Sequence, residues 1–295
     1  MSLKKFRYII ETIFVKFGLY FFNSLSIQRS SNFAGNIAMF IGNKISVNKL
    51  ATNNLAKAMP LLSDGERKII INSMWNNLGK IIGEYIHISK YSLDEIEKVI
   101  VFSEQSQNNI NYLKETNRGG IIFSGHLGNW EIGPKALMTK GLKVNTLYRP
   151  LNNPYVEKIT ADLRKIPMIK KSLTGGRKII EAIKRGEFVI ILADQKISEG
   201  EPVKFFHDKA ITTTSIARMA IKYNIPIIPA RSIRLNNGNN KIKFSIEVEK
   251  PLKYEISKNI EKDVLGITLQ INQKLEEWIR QFPDQWFWVH NRWKK

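Results

Sequence analysis

A short apolar run that leads into a histidine constrains the fold of this chain more than any other feature. Residues 119–123 read Gly-Gly-Ile-Ile-Phe, and residues 124–131 read Ser-Gly-His-Leu-Gly-Asn-Trp-Glu. This pattern predicts a buried strand, a turn and the start of a helix. Because ligands bind outside the carboxyl ends of the strands in open α/β sheets, we expect the functional site here.

The spacing of His126 and Glu131 limits how their side chains can meet. On one regular helix the two would lie about 140° apart, so contact requires His126 in the turn and Glu131 in the first helical turn. Asn129 is a favourable N-cap for such a helix, whereas Pro134 favours a later start or a bend. We therefore predict that Glu131 hydrogen-bonds His126 and stabilises its protonated form.

A histidine at a strand end is more often structural than catalytic when it stands alone. Two features favour catalysis here: the flanking glycines allow a ligand to approach the backbone, and a predicted helix N-terminus faces the site. Paired with a carboxylate, His126 would activate a hydroxyl group of the substrate. No serine or cysteine nucleophile is then required.

Composition limits the cofactors and the partners. The 295 residues include no cysteine and four histidines, which predicts chemistry without a metal or another cofactor. The 46 Lys and Arg against 26 Asp and Glu give a net charge of +20, which favours nucleic acid, an anionic membrane, a phosphorylated glycolipid or an acidic carrier protein. The sequence lacks an Arg-rich tail, zinc-finger spacing and an RNP-like motif, which counts against nucleic acid.

Residues 1–25 predict a membrane-anchoring helix. Lys4, Lys5 and Arg7 precede the apolar residues from Ile9 onward. One helical face consists of Phe6, Ile9, Ile10, Ile13, Phe14, Phe17 and Phe21. Because Glu11 and Lys16 interrupt the apolar stretch, an amphipathic helix in the membrane interface fits better than a short transmembrane helix. The other alternative is an ordinary N-terminal core helix.

The rest of the chain divides into a helical layer and an α/β domain. Residues 26–100 show helical periodicity, with a capping-box pattern at residues 63–66. From residue 101 to 295, strands and helices alternate, which predicts a mixed, mostly parallel central sheet flanked by helices. The apolar residues 188–193 predict a strand buried on both faces that ends at Asp194.

Four further patterns complete the prediction. Residues 143–148 predict a strand that ends at Tyr148 and Arg149, and residues 225–230 predict one that ends at Arg231. After a turn at residues 236–238, alternation over residues 242–248 predicts an exposed edge strand. The aromatic tail, residues 283–293, is too apolar for a flexible terminus.

Residues 126–131 resemble the His-x4-Asp/Glu motif of the glycerolipid acyltransferase superfamily. The Asn-Trp-Glu form is similar to the branch that adds secondary acyl chains to lipid A, the late lauroyl and myristoyl acyltransferases. Further matches run in order to the C-terminus: Tyr148-Arg149-Pro150, Arg164, Ala193-Asp194-Gln195, residues 203–206, Ala217-Arg218, Pro283, Gln285-Trp286, Trp288, His290 and Arg292. His207 and Asp208 depart from the family pattern, which usually has Gly there.

The resemblance implies roles for individual residues. His126 would be the general base and Glu131 the residue that orients it. Arg164 would stabilise the oxyanion, and Arg149 would hold phosphates of the acceptor. Asp194 would position the substrate or an arginine.

The resemblance also implies substrates and a location. Gly128, Asn129 and Tyr148 are further candidates for binding substrate or the oxyanion. The implied donor is acyl carrier protein, and the implied acceptor is a Kdo-bearing, bis-phosphorylated lipid A precursor that is acylated on a hydroxyl of an existing acyl chain. The enzyme would work at the cytoplasmic face of a Gram-negative inner membrane, in contact with membrane lipids and without nucleic acid.

Two alternatives stay open at this point. The chain could be a lysophospholipid acyltransferase, because that class of enzyme has the same His-x4-acid motif. Glu131 in place of Asp and the aromatic tail argue against this alternative. A non-catalytic basic protein that binds a membrane surface or nucleic acid would explain the charge and the N-terminal helix. It would leave the pairing of His126 and Glu131 as a coincidence.

Overall fold

Helices form the N-terminal third of the molecule. The structure is a computed structural model that describes residues 2–172, 174–196, 200–236 and 241–293. The helices are α1 (Leu3–Ser24), α2 (Ile27–Gly42), α3 (Val47–Ala58), α4 (Asp64–Lys90) and α5 (Leu93–Glu97). A capping box between Ser63 and Glu66 starts α4, as the sequence predicted.

Helices α2 and α4 pack so closely that glycine is required between them. A Cβ at Gly79 would lie 2.2 Å from the carbonyl oxygen of Ala34, and one at Gly83 would lie 2.4 Å from that of Ser30. The missing side chains let the two helix backbones touch. Helix α2 is thereby held along α4, which in turn reaches the sheet.

The remaining chain builds a seven-stranded sheet with helices on both faces. In chain order the elements are β1 (Ile100–Val101), α6 (Glu104–Thr116), β2 (Gly120–Ser124), α7 (Gly133–Thr139), β3 (Val144–Tyr148), α8 (Pro154–Arg164), β4 (Met168–Lys170), α9 (Gly175–Lys184), β5 (Phe188–Leu192), β6 (Glu201–Phe205), β7 (Asp208–Thr212), α10 (Ser215–Tyr223), β8 (Ile227–Arg234), β9 (Phe244–Val248) and α11 (Ile260–Gln281). The strand order is β1-β9-β8-β2-β5-β3-β4, and β6 and β7 form a separate hairpin. All pairs in the sheet are parallel except β8 with β9. The predicted mixed, mostly parallel sheet flanked by helices is confirmed.

Strand β2 lies at the centre of the sheet and separates two apolar cores. Ile121 and Phe123 face the core formed with α9, α10 and α11. Ile122 faces the core formed with α6 and α7, because successive side chains point to opposite faces of a strand. Strands β2 and β5 are parallel neighbours, so the segments that follow them meet at one edge of the sheet.

Asn129 is not the N-cap of the helix that follows the motif, because that helix begins later than predicted. Residues 126–132 form a bend and a turn, and α7 begins at Gly133, with Pro134 in its first turn. Proline is tolerated there because the first backbone N–H groups of a helix have no partner within it. The side chain of Asn129 instead accepts a hydrogen bond from the backbone N–H of Glu131.

Two strand predictions are corrected by the structure. Arg231 lies inside β8, which continues to Arg234. Strand β9 is not an edge strand, because it pairs with β8 on one side and with the two-residue β1 on the other. Of the turn predicted before it, residues 237 and 238 lie outside the described part of the chain.

The hairpin of β6 and β7 turns at the position where the sequence departs from the family pattern. Phe206 has φ = +57°, in the left-handed region that glycine adopts most easily. Its backbone N–H donates to the carboxylate of Glu276 at 2.5 Å, and its ring is buried. Packing and this hydrogen bond hold a conformation that the side chain disfavours.

The C-terminal tail is part of the core. Trp286, Trp288 and Arg292 are fully buried, and the side-chain amide of Asn54 on α3 donates to the carbonyl oxygens of Trp288 and His290. Within the described ranges, no helix has both the length and the apolar character that crossing a bilayer requires. The domain boundaries predicted near residues 25 and 100 stay predictions.

Candidate active site

His126 lies in the turn after β2 and is held by Asp194, which follows β5. The Nδ1 atom of His126 is 2.7 Å from Oδ1 of Asp194. The backbone N–H of His126 donates to Oδ2 of the same carboxylate at 2.7 Å, and Nε1 of Trp286 donates to Oδ2 at 2.8 Å. Asp194 is fully buried, so these donors replace the water it has lost.

The charge of Asp194 fixes the tautomer of His126. Burial alone would raise the pKa of Asp194, but the charge and hydrogen bonds of His126 hold that pKa well below its usual range. An ionised carboxylate only accepts hydrogen bonds, so the proton of the neutral imidazole is on Nδ1. The lone pair is then on Nε2, which lies 3.1 Å from the side-chain nitrogen of Gln195 and can accept a proton.

Two aromatic side chains hold the ring of His126. Its centroid is 4.9 Å from the ring centroid of Trp130 and 4.7 Å from that of His290, both in edge-to-face geometry. The ring of Phe287 packs edge to face with the ring of His290, and their centroids are 4.9 Å apart. Burial lowers the pKa of His290 to about 4 even though Asp194 is near, so His290 is neutral at neutral pH.

Glu131 does not make the contact that the sequence predicted. Among the described residues no hydrogen bond joins it to His126; its two carboxylate oxygens accept from Nε and one terminal nitrogen of Arg164, at 3.2 and 3.1 Å. The reason is local: without a helix at residues 129–132, Glu131 turns toward the end of α8. Burial would lower the pKa of Arg164, but Glu131 raises it, so this arginine stays charged.

Three side chains at the site have the chemistry of metal ligands. In the part of the chain that the structure describes, His126, Asp194 and His290 form the one group of this kind, with ligand atoms within 4.8 Å of one another. Both oxygens of Asp194 already accept hydrogen bonds, and a cation at Nδ1 of His126 would displace the proton shared with Asp194. The donor set therefore fits a proton-transfer pair better than a metal centre.

Comparison with known sequences identifies the family. A family model described as bacterial lipid A biosynthesis acyltransferase matches residues 1–295. The chain belongs to this family. Its members catalyse acyl transfer in lipid A biosynthesis, so this acyltransferase is an enzyme of that process.

Two curated relatives are similar to this acyltransferase along most of their length. Lipid A biosynthesis acyltransferase 2 of Shigella flexneri is 23% identical over 243 residues, which cover 81% of this chain and 75% of the relative. The lipid A biosynthesis lauroyltransferase of Escherichia coli (strain K12) is 24% identical over 259 residues, which cover 83% and 78%. The resemblance read from the motif and the tail is thereby confirmed.

The acyltransferase brings the predicted site residues together in two pairs. His126 and Asp194 form the first pair, and Glu131 and Arg164 form the second. Trp130 links the two pairs. Its ring contacts His126 of the first pair, and the next residue, Glu131, bonds Arg164 in the second.

The other predicted residues differ in their access to substrate. Arg149 is exposed at the end of β3, and Tyr148 is partly buried beside it. Asn129 is fully buried, and its described side-chain hydrogen bonds are both with other groups of the protein, Glu84 and the backbone of Glu131. Gly128 has φ = +57°, and a Cβ there would lie 2.1 Å from the carbonyl oxygen of Ser232, so only glycine fits.

Sequence reasoning missed the roles of three residues at this site. Trp286 and His290 stood out as members of the aromatic tail and of the family pattern, but nothing in their spacing showed that Trp286 bonds Asp194 and that His290 contacts His126. Glu84, whose carboxylate bonds Asn129, lies within a helical pattern that resembles any other amphipathic helix.

Proposed function

We propose that this acyltransferase moves a fatty acyl chain from the thioester of acyl carrier protein to a hydroxyl group of a Kdo-bearing lipid A precursor. The family supports acyl transfer in lipid A biosynthesis. The observation that carries the catalytic part is the hydrogen bond between His126 Nδ1 and the buried carboxylate of Asp194 at the carboxyl edge of the sheet.

In the proposed reaction His126 is the general base. Its Nε2 accepts the proton of the acceptor hydroxyl as the oxygen attacks the thioester carbonyl carbon. Asp194 stabilises the imidazolium that forms. When the tetrahedral intermediate collapses, the C–S bond breaks and the imidazolium returns the proton to the carrier's thiolate, so that no metal or other cofactor is needed.

Two arginines interact with the negative charges of the reaction, which are the oxyanion of the tetrahedral intermediate and the phosphates of the acceptor. Arg164 stabilises the oxyanion, for which one well-placed donor contributes roughly 3 kcal/mol, and Glu131 fixes the guanidinium in place through two hydrogen bonds. Arg149, exposed at the end of β3, binds phosphate of the acceptor. Glu131 thus acts through Arg164 and not through His126.

The acceptor is a lipid, so the proposal places the enzyme on the cytoplasmic face of the inner membrane. Helix α1 exposes Phe14 and Phe17 by 72% and 67%, with basic residues at its start. Helix α1 also contacts the helix that carries Arg164, because the side chain of Asn153 at the start of α8 donates to the carbonyl oxygen of Tyr8. An α1 that lies in the membrane interface would bring the site to the lipid.

A two-acceptor assay tests the proposed function. Purified protein is incubated with acyl carrier protein bearing a labelled acyl thioester and either a Kdo-bearing lipid A precursor or lysophosphatidic acid, and products are identified by mass spectrometry. The proposal expects acylated lipid A precursor only. Product from lysophosphatidic acid alone would establish the phospholipid alternative and overturn the proposal.

A further inference from the structure

We infer that Glu84 of α4 is a positioning residue for the catalytic segment, residues 128–131, and that it acts through Asn129. The inference rests on the proposed function for its activity measurement. The helical layer thereby has a part in positioning the active site.

Glu84 is a fully buried carboxylate that four hydrogen-bond donors surround. The guanidinium of Arg234 donates to it twice, at 2.6 and 2.9 Å. Ser31 on α2 donates at 2.6 Å and Asn129 donates at 2.8 Å. Charge-assisted hydrogen bonds of this kind are short and directional, so the position of Asn129 is tightly defined.

Asn129 passes this constraint to the site. Its amide nitrogen bonds Glu84, and its amide oxygen accepts from the backbone N–H of Glu131 at 3.2 Å. Both ends of the side chain are therefore engaged, and its orientation is fixed. The residues next to it carry the contacts of the site: Trp130 packs on His126, and Glu131 holds Arg164.

A second polar residue of α4 holds the other end of the same segment. Asn77 donates to the carbonyl oxygen of Gly128 at 2.9 Å and accepts from Nε of Arg234 at 2.9 Å. Asn77 and Glu84 are seven residues apart, two helical turns, so they share one face of α4. Gln285 of the tail closes the network by exchanging hydrogen bonds with the backbone of Arg234.

Stability alone does not account for this buried ion pair. Apolar residues of similar volume often stabilise a core as well as or better than a buried pair, because both charges must be removed from water. Apolar residues could not accept the hydrogen bond that orients the side-chain amide of Asn129. The contacts of Glu84 with Asn129 supply that orientation next to the reacting groups.

The test compares kcat and KM for acyl transfer by Glu84→Gln and by a packing control. Glu84→Gln presents an NH2 group to donors, so Asn129 loses its anchor, and we expect kcat to fall by about tenfold or more with KM for the acyl donor nearly unchanged. The control is Ser30→Ala, which removes a buried hydrogen bond from α2 to the carbonyl oxygen of Gly83 without touching Glu84. It should lower Tm and leave kcat within about twofold.

A double-mutant cycle separates positioning from a general loss of packing. Asn129→Ala leaves the pair of Glu84 and Arg234 intact, so it serves as the second variant if Glu84→Gln does not fold. Both single variants should lower kcat, and the second change should add little to the first, because both remove the hydrogen bond between Glu84 and Asn129. Full kcat in Asn129→Ala, or additive losses in the double variant, would overturn the inference. An inactive wild-type protein would instead refute the proposed function.

Discussion

Asp194 receives three hydrogen bonds on two oxygens, from Nδ1 and the backbone N–H of His126 and from Trp286. An asparagine there has one acceptor oxygen, and its NH2 group must face a donor or force the other tautomer of His126. We expect Asp194→Asn to lower kcat by about 10³-fold or more, as the loss of tautomer control does in Ser-His-Asp triads. Steady-state transfer kinetics check this. Asp162→Asn on the exposed side of α8 is the matched control, and near-normal activity in Asp194→Asn would contradict the account.

His290 makes stability depend on pH. Its folded pKa of about 4 lies below its usual value of 6.5, so between these values the unfolded chain binds more protons. This contribution to the free energy of unfolding is present in full above pH 6.5, is lost as pH falls through the folded pKa, and amounts to at most about 3 kcal/mol. Urea unfolding of wild type and His290→Phe from pH 4 to 7 measures it. The free energy of unfolding should fall more steeply with decreasing pH in wild type than in His290→Phe, and parallel curves would contradict the assignment.

At the level of single residues, the sequence predicted which side chains gather at the site but not which of them bond each other. His126, Glu131, Arg164 and Asp194 were all candidates, and all four are in the two pairs described above. The pairing depends on strand order, because β5 lies beside β2 and so brings Asp194 to the histidine. Hydrophobic periodicity does not reveal that order.

Helix α1 carries the proposed contact with lipid. Its most exposed aromatic side chains are Tyr20, Phe14 and Phe17, and burial of each in the interface would contribute about 2 kcal/mol. We expect the double variant Phe14→Glu, Phe17→Glu to lose most of its binding to vesicles with anionic lipid, measured by co-sedimentation. Tyr112→Glu, an exposed position on α6, is the matched control. Equal binding by both variants would exclude α1 as the anchor.

Elements with strong periodicity and local caps could be predicted, and those fixed by distant contacts could not. The capping box located the start of α4. The start of α7 was predicted too early, because Asn129 bonds Glu84 and Glu131 in place of capping the helix. The interior position of β9 depends on β1, which is too short to be recognised by alternation.

The net charge of +20 acts at the scale of the whole molecule. An acidic carrier protein would be steered toward such a surface, and salt would weaken the attraction as the screening length falls from about 10 Å at 0.1 M to about 3 Å at 1 M. We expect kcat/KM for acyl carrier protein to fall at least about tenfold over that range, while kcat changes little. A kcat/KM that does not depend on salt would contradict electrostatic recognition of the donor.

The fold class of the whole molecule followed from alternating strand and helix patterns, and its family followed from the motif and the tail. The way the helical layer meets the site did not, because it depends on contacts between residues far apart in sequence, such as Asn77 with Gly128 and Asn54 with the tail. These contacts join the N-terminal helices, the catalytic turn and the C-terminus.

The role of His126 as the general base is tested by measuring acyl transfer from acyl carrier protein to the Kdo-bearing lipid A precursor by His126→Ala. His207→Ala, which changes an exposed histidine in the turn between β6 and β7, is measured beside it, and circular dichroism confirms that both variants are folded. We expect normal transfer by His207→Ala and no product above background from His126→Ala. Transfer by His126→Ala at the wild-type rate would contradict that role.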